Sequence, residues 1–212
     1  MHATLSPPRT FAPRRQFLRG ASHVGLLGLW ALAGCSPAGN NAMATPASAP
    51  VSAASGVADD ALALAREAKG FTAGAMMAAN TAYVFFDTSC PHCAHLWQAA
   101  QPLLPKLKMV WIPVGLLRPQ STTQGVAILG AANPVATMNE NETSVLAHGP
   151  GIATPGTPDP ALVAQVKANT ELLRRLGADS VPLLLFRHAK TGQVGRHEGA
   201  MDTAALAELI GI

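Results

Sequence analysis

The stretch that most constrains this chain is Tyr83 to Trp97, YVFFDTSCPHCAHLW, centred on the pair Cys90 and Cys93. Tyr83 to Phe86 is a short apolar, aromatic run with the pattern of a buried strand, and Asp87-Thr88-Ser89 is a polar turn that ends it. A helix is expected next, with Cys90 at its N-cap, Pro91 at the first helical position where a missing N–H costs nothing, and Cys93 one turn in. Free N–H groups and the positive end of the helix dipole favour thiolate over thiol at Cys90, and His92 as imidazolium adds to the same effect. The expectation is a Cys90 pKa below the free-cysteine value of about 8.5. Thiolate is the attacking species in disulfide exchange. A second thiol two residues on releases the resulting mixed disulfide by closing an intramolecular bond.

A C-x-x-C is also half of a zinc site, which needs two further ligands. No second cysteine or histidine pair stands at such a spacing. The remaining cysteine is Cys35, and His95 is the nearest candidate for a third ligand. Strand, turn and helix in this order favour redox chemistry at Cys90 and Cys93 over metal binding.

The first 35 of the 212 residues read as an export signal. Arg9, Arg14, Arg15 and Arg19 precede the apolar run Val24 to Ala33, which is too short to span a bilayer, and Leu32-Ala33-Gly34-Cys35 follows. Those four residues resemble the lipobox of bacterial lipoproteins, which implies acylation of Cys35 as the new N-terminus. Arg14-Arg15-Gln16-Phe17-Leu18-Arg19 also resembles a twin-arginine signal. Four of the fifteen basic residues lie in this segment, leaving eleven against twelve acids and a net charge of −1. The basic isoelectric point therefore belongs to the precursor, and nothing argues for a nucleic-acid partner. Residues 36–58 are Ala, Ser, Pro or Gly at seventeen of twenty-three positions, the composition of a flexible tether.

From Asp59 onward the pattern alternates between elements. A helix starts at Asp59-Asp60 and stops by Gly70. Phe71 to Thr81 reads as loop with some helix, and the Tyr83 strand and Cys90 helix follow, the helix ending near Leu104 or kinking at Pro102. Lys108 to Val114 reads as a second buried strand. Helices are expected at Thr123 to Ala132, Pro134 to Leu146 and Asp159 to Leu176. Strands return at Leu183 to Phe186 and Val194 to His197, and Asp202 or Thr203 caps a last helix from Ala204 to Ile210. The order implies a central mixed sheet flanked by helices, an α/β fold.

From about Leu64 onward the chain resembles the catalytic domain of the periplasmic thiol:disulfide interchange proteins of the DsbG/DsbC family. The stretches that carry the resemblance are YVFFDTSCPHC, VGLLRPQS at 114–121, AILGAANPVAT at 127–137 and NTELLRRLGADSVP at 169–182. The resemblance implies a thioredoxin-like fold for 59–212, with a helical insertion at about 115–180 between the C-x-x-C helix and the cis-proline strand. Pro182 matches the family's cis-proline, and Val181 and Pro182 would shape the substrate groove. It also implies a thiol:disulfide oxidoreductase of isomerase or reductase type, needing no cofactor and acting on cysteines of exported proteins. A periplasmic location and a membrane redox partner of DsbD or DsbB type are implied with it. The lipid anchor is implied by the lipobox instead, and Ser36 after Cys35, where no Asp stands, favours the outer membrane by resemblance to lipoprotein sorting rules. Three features set the chain apart from one or another branch of these proteins. The tether and one helix stand where the family has a dimerisation domain, so a monomer is expected. Pro91-His92 and Val181 look more like the oxidase DsbA, which keeps a disulfide-donating activity open as the alternative. Val84 stands where thioredoxin and DsbA carry a buried acid, and in this the chain resembles DsbG. A metal-binding lipoprotein using Cys90, Cys93 and His95 is the rival from another class.

Overall fold

The computed structural model describes residues 52–154 and 156–212. The export signal, Cys35 and the tether up to residue 51 lie outside the described residues. Helix α1 runs from Ser52 to Glu67, so it begins seven residues inside the segment read as tether. Strands β1 (Phe71–Gly74) and β2 (Thr81–Asp87) precede α2 (Pro91–Ala100), which ends in a 3₁₀ turn, Gln101–Leu103, at Pro102. Strand β3 (Lys108–Val114) leads into three successive helices, α3 (Ser121–Leu129), α4 (Pro134–Leu146) and α5 (Pro160–Arg175). The chain closes with β4 (Leu183–Arg187), β5 (Val194–Glu198) and α6 (Thr203–Ile210). No helix among the described residues is long and apolar enough to cross a membrane.

The five strands form one mixed sheet in the order β1-β3-β2-β4-β5. Only β2 and β3 are parallel, and the crossover between them is α2. The other three pairings are antiparallel. Strand β1 corrects the expectation of loop and helix for this stretch. FTAG is too short to show a period, and its state is decided by pairing, with Phe71 opposite Trp111 and Gly74 opposite Lys108. Because β1 covers only Lys108 to Trp111, Pro113 lies beyond its end on that side, where a strand proline is tolerated. The buried Asn169 of α5 is the partner there. Its Nδ2 donates to the carbonyls of Pro113 (3.0 Å) and Lys69 (2.8 Å), and its Oδ1 accepts from the Lys69 N–H (3.0 Å).

Period-2 alternation sends the strand side chains to two cores. Val84, Phe86, Met109, Trp111, Leu184 and Phe186 face α2, α4 and α6, whereas Phe85, Ile112, Val114, Leu183 and Leu185 face α1 and α5. The first core holds four edge-to-face aromatic pairs among Phe71, Phe86, Trp97 and Trp111, with centroids 4.9–6.4 Å apart. Such pairs add about 0.5–1.5 kcal/mol each beyond area burial. They fix α2 against the sheet, and α2 carries Cys93 with Cys90 at its cap.

Three helix starts follow from local chemistry. Asn133, Asp159 and Asp202 each accept a backbone N–H of the first turn, and Pro134 and Pro160 occupy first helical positions. Gly211, in the left-handed region at φ 84°, ends α6.

Candidate active site

Asp87, the last residue of β2, is buried, and its carboxyl group organises the turn before the cysteines. Oδ1 accepts from the Ser89 N–H (2.8 Å) and the Ser121 hydroxyl (2.6 Å). Oδ2 accepts from the N–H groups of Leu116 (2.8 Å) and Leu117 (2.9 Å). One carboxyl therefore ties the motif turn to the loop after β3. A second network anchors Thr88. Its hydroxyl donates to Gln124 Oε1 (3.0 Å), its carbonyl accepts from Asn141 Nδ2 (2.9 Å), and Gln124 Nε2 donates to the carbonyls of Pro150 and Ile152. The helical insertion is thus hydrogen-bonded into the active-site turn through three of its side chains, Ser121, Gln124 and Asn141.

Cys90 sits at the N-cap of α2 with extended backbone (φ −95°, ψ 114°), and Pro91 takes the first helical position. Both cysteines are free thiols and both are buried, Cys90 at 3% exposure and Cys93 at 0%. The two thiols differ little in exposure. What separates the two thiols is electrostatics. The Cys93 thiol, by hydrogen-bonding the Cys90 sulfur, is the largest influence drawing the Cys90 pKa down to about 6. Burial opposes it, and the N–H groups of Cys93 and His92 add smaller contributions. Burial, together with that donated hydrogen bond, pushes Cys93 well above the ordinary thiol range.

His92 plays a smaller part than its position in the motif suggested. Its side chain is exposed, and its charge is the weakest influence on Cys90. His95 is exposed too and lines a separate surface depression with Gln98 and Asp202. Among the described residues no three His, Cys, Asp or Glu side chains are grouped to hold a metal ion, so the rival set Cys90, Cys93 and His95 is not assembled.

Val181 and Pro182 come to the motif from 91 residues away. Their peptide bond is cis, and the Val181 carbonyl accepts from the Cys90 thiol at 3.6 Å. Beside Ser89 and Pro91 opens a cleft of about 520 Å³, also lined by Arg118, Gln120, Val145 and His148. Sequence reading missed Glu142. It is 1% exposed on α4, and burial, with the charges of Cys90 and Asp87, raises its pKa to about 8 against the hydrogen bond from Asn141. Its only sequence signal is an acid inside a polar helix, which reads as surface.

The pKa of about 6 sets an expected pH dependence. Alkylation of the reduced protein by iodoacetamide should rise with a midpoint near pH 6 at Cys90, with Cys93 unmodified through neutral pH. A common midpoint for both thiols near the free-cysteine value of about 8.5 would contradict the geometry. A lowered thiol stabilises the reduced fold above its unfolded pKa, and that stability is lost as pH falls through about 6.

No protein-family model matches the chain. Two curated relatives are similar in sequence. The thiol:disulfide interchange protein DsbG of Pseudomonas aeruginosa is 29% identical over 137 residues, 63% of this chain and 52% of that protein. The DsbG of Escherichia coli is 28% identical over 134 residues, 61% of this chain and 52% of that protein. The chain thus spans about half the length of these relatives. Among solved structures, a periplasmic thioredoxin-like protein from Salmonella enterica serovar Typhimurium superposes with a TM-score of 0.55 at 18% identity, over 73% of this chain and 94% of that one. By fold this is a thioredoxin-like domain, and by sequence it is similar to the DsbG thiol:disulfide interchange proteins.

Proposed function

We propose that the protein is a cell-envelope thiol:disulfide oxidoreductase of the DsbG-like isomerase or reductase kind, acting on cysteines of exported proteins. The observation that carries this reading is Cys90 at a helix N-cap, with its pKa lowered to about 6 beside a thiol held protonated. At neutral pH such a pair presents one attacking sulfur and one resolving sulfur. Cys90 attacks a substrate disulfide, and Cys93 then displaces the substrate from the mixed disulfide. Pro91 keeps the helix start intact at the nucleophile. Val181 and Pro182 form the wall beside Cys90, where an extended substrate segment can pair with backbone. His92 has a minor tuning role.

A lowered Cys90 also stabilises the reduced state and so makes the disulfide a better electron acceptor, which is the observation favouring the DsbA-like, disulfide-donating alternative. The rest of the reading comes from the leader and from the resemblance. Export, acylation at Cys35, an outer-membrane destination, a monomeric state and a membrane redox partner of DsbD or DsbB type belong to the proposal. The purified domain should accelerate reduction of insulin disulfides by dithiothreitol and reactivate scrambled ribonuclease. Reactivation together with a low potential for the Cys90–Cys93 pair supports the isomerase reading. Oxidation of reduced ribonuclease without reactivation of the scrambled form supports the donor instead, and inactivity in every assay overturns both.

A further inference from the structure

Helix α4 belongs to the insertion, yet it places a buried acid within one hydrogen-bond link of the cysteine turn. Asn141 Nδ2 donates both to the Thr88 carbonyl (2.9 Å) and to Glu142 Oε1 (3.1 Å), and Thr88 lies two residues before Cys90. The other oxygen, Glu142 Oε2, is buried and has no hydrogen-bond partner among the described residues. A bare carboxylate oxygen in such a place is costly, so the carboxyl is built to carry a proton. The structural core elsewhere gives it no ion-pair partner among the described residues. A negative charge that appears and disappears nearby will therefore decide how firmly that proton is held.

Such a charge is the Cys90 thiolate, present in the reduced pair and absent from the disulfide. We infer that Glu142 is a redox-linked proton site, holding its proton more firmly while Cys90 is a thiolate and releasing it more readily once Cys90 and Cys93 are joined. The inference rests on the redox reading of the pair and assigns the positioning residue Glu142 a part in it.

The balance of the reaction shows what such a site does. When the reduced protein reduces a substrate disulfide, the Cys90 sulfur bonds to one substrate sulfur, the substrate S–S bond breaks, and one substrate thiolate leaves. Cys93 then loses its proton, its sulfur bonds to the Cys90 sulfur, the mixed disulfide breaks, and the second substrate thiolate leaves. Two electrons have passed from the cysteine pair to the two substrate sulfurs. A neutral substrate dithiol requires two protons, but a pair with Cys90 ionised carries only the one on Cys93. Glu142 holds the second. In the opposite direction the same two protons return to Cys93 and Glu142 as substrate thiols are oxidised.

The groups that face Glu142 are few. Burial first, then the charges of Cys90 and Asp87, raises its pKa to about 8, and Glu142 in turn raises Cys93. Helix α4 packs on α2, α3 and β1, and neither α3 nor β1 carries a titratable side chain. The remaining titratable groups on α2, His92 and His95, are exposed. The expected pH window therefore lies below about 8, between the oxidised and reduced midpoints of Glu142.

The test has two arms on the purified domain. In the first, the thiol–disulfide equilibrium with a glutathione buffer is measured from pH 5 to 9 for the wild type and for Glu142→Gln. Reduction that takes up an extra proton weakens as pH rises, so the wild-type constant should fall below the variant's by up to an additional tenfold per pH unit inside the window. In the second, the carboxyl carbon of Glu142 in protein made with ¹³C-glutamate is titrated in the oxidised and reduced states. Its midpoint should be lower in the oxidised state. Superimposable equilibrium curves, or one midpoint for both states in an active protein, overturn the inference and leave the redox reading standing. The second arm decides even where Glu142→Gln does not fold. Loss of redox activity in the unmodified pair removes the reading beneath it instead.

Discussion

Replacing Cys90 by serine should bring thiol–disulfide exchange down to the uncatalysed background while leaving the fold in place. A serine hydroxyl does not ionise near neutral pH, so the N-cap position loses its nucleophile outright rather than in part. Size and burial change little, since sulfur is replaced by the smaller oxygen, and the serine hydroxyl can donate to the Val181 carbonyl. Replacing Cys93 instead removes the resolving step. Cys93→Ser should accumulate mixed disulfides through Cys90, and in Cys93→Ala the Cys90 pKa should rise towards the ordinary range. Alanine offers the Cys90 sulfur no donor, so the side-chain hydrogen bond that contributes most to the shift is lost. Insulin turnover, mass spectrometry of trapped species and thiolate absorbance measure the three effects. A Cys90→Ser protein with residual turnover, or a Cys93→Ser protein that traps nothing, would reverse the assignment of attacking and resolving sulfurs. Trapping in cells would also name the substrate proteins.

Asp87→Ala should be the most destabilising single change near the site, by roughly 3–5 kcal/mol, because four donors lose their acceptor at once. The N–H groups of Ser89, Leu116 and Leu117 and the Ser121 hydroxyl all converge on this carboxyl, and Asp87 and Ser121 are both fully buried. The loss is not confined to stability. Leu116 and Leu117 lie on the loop that leads to Arg118 and Gln120, two of the residues lining the cleft beside Ser89 and Pro91. Urea unfolding of Asp87→Ala should show a lowered midpoint, and turnover should fall at temperatures where the variant is still folded. Asp87→Asn keeps an acceptor oxygen and should recover part of the stability. A wild-type midpoint in Asp87→Ala would mean that solvent replaces the carboxyl without cost.

Most of the local architecture around the cysteines was legible because its signals are local. A short apolar run, a polar turn and a proline at the first helical position specify strand, turn and helix within a few residues of Cys90. The structure sets those boundaries at Thr81–Asp87 and Pro91–Ala100. Helix α4 was read from Pro134 to Leu146, and Asn133 before it caps the first turn. The short strand β1 was not legible, since FTAG holds no period and only the facing residues of β3 make it a strand. Helix α1 was read as starting at Asp59 because low-complexity Ala and Ser look like tether, yet they are also compatible with helix once an apolar face docks through Leu62 and Ala65.

The sequence by itself determined the chemistry available to this protein: two thiols at a spacing that closes a disulfide, set where a strand hands over to a helix. Those relations span only a few residues, so neighbouring dihedrals and capping settle them. Tertiary structure alone decided how that chemistry is tuned. It brought the Val181 carbonyl to the Cys90 sulfur, gathered three backbone amides and a hydroxyl on Asp87, and carried Glu142 out of a polar-looking helix into the core. A carboxyl on a helix has the same sequence signature in water as in a protein interior. Only the packing of α4 against α2 and the sheet removed the water, and it is desolvation that turns an ordinary glutamate into a group able to hold a proton at neutral pH.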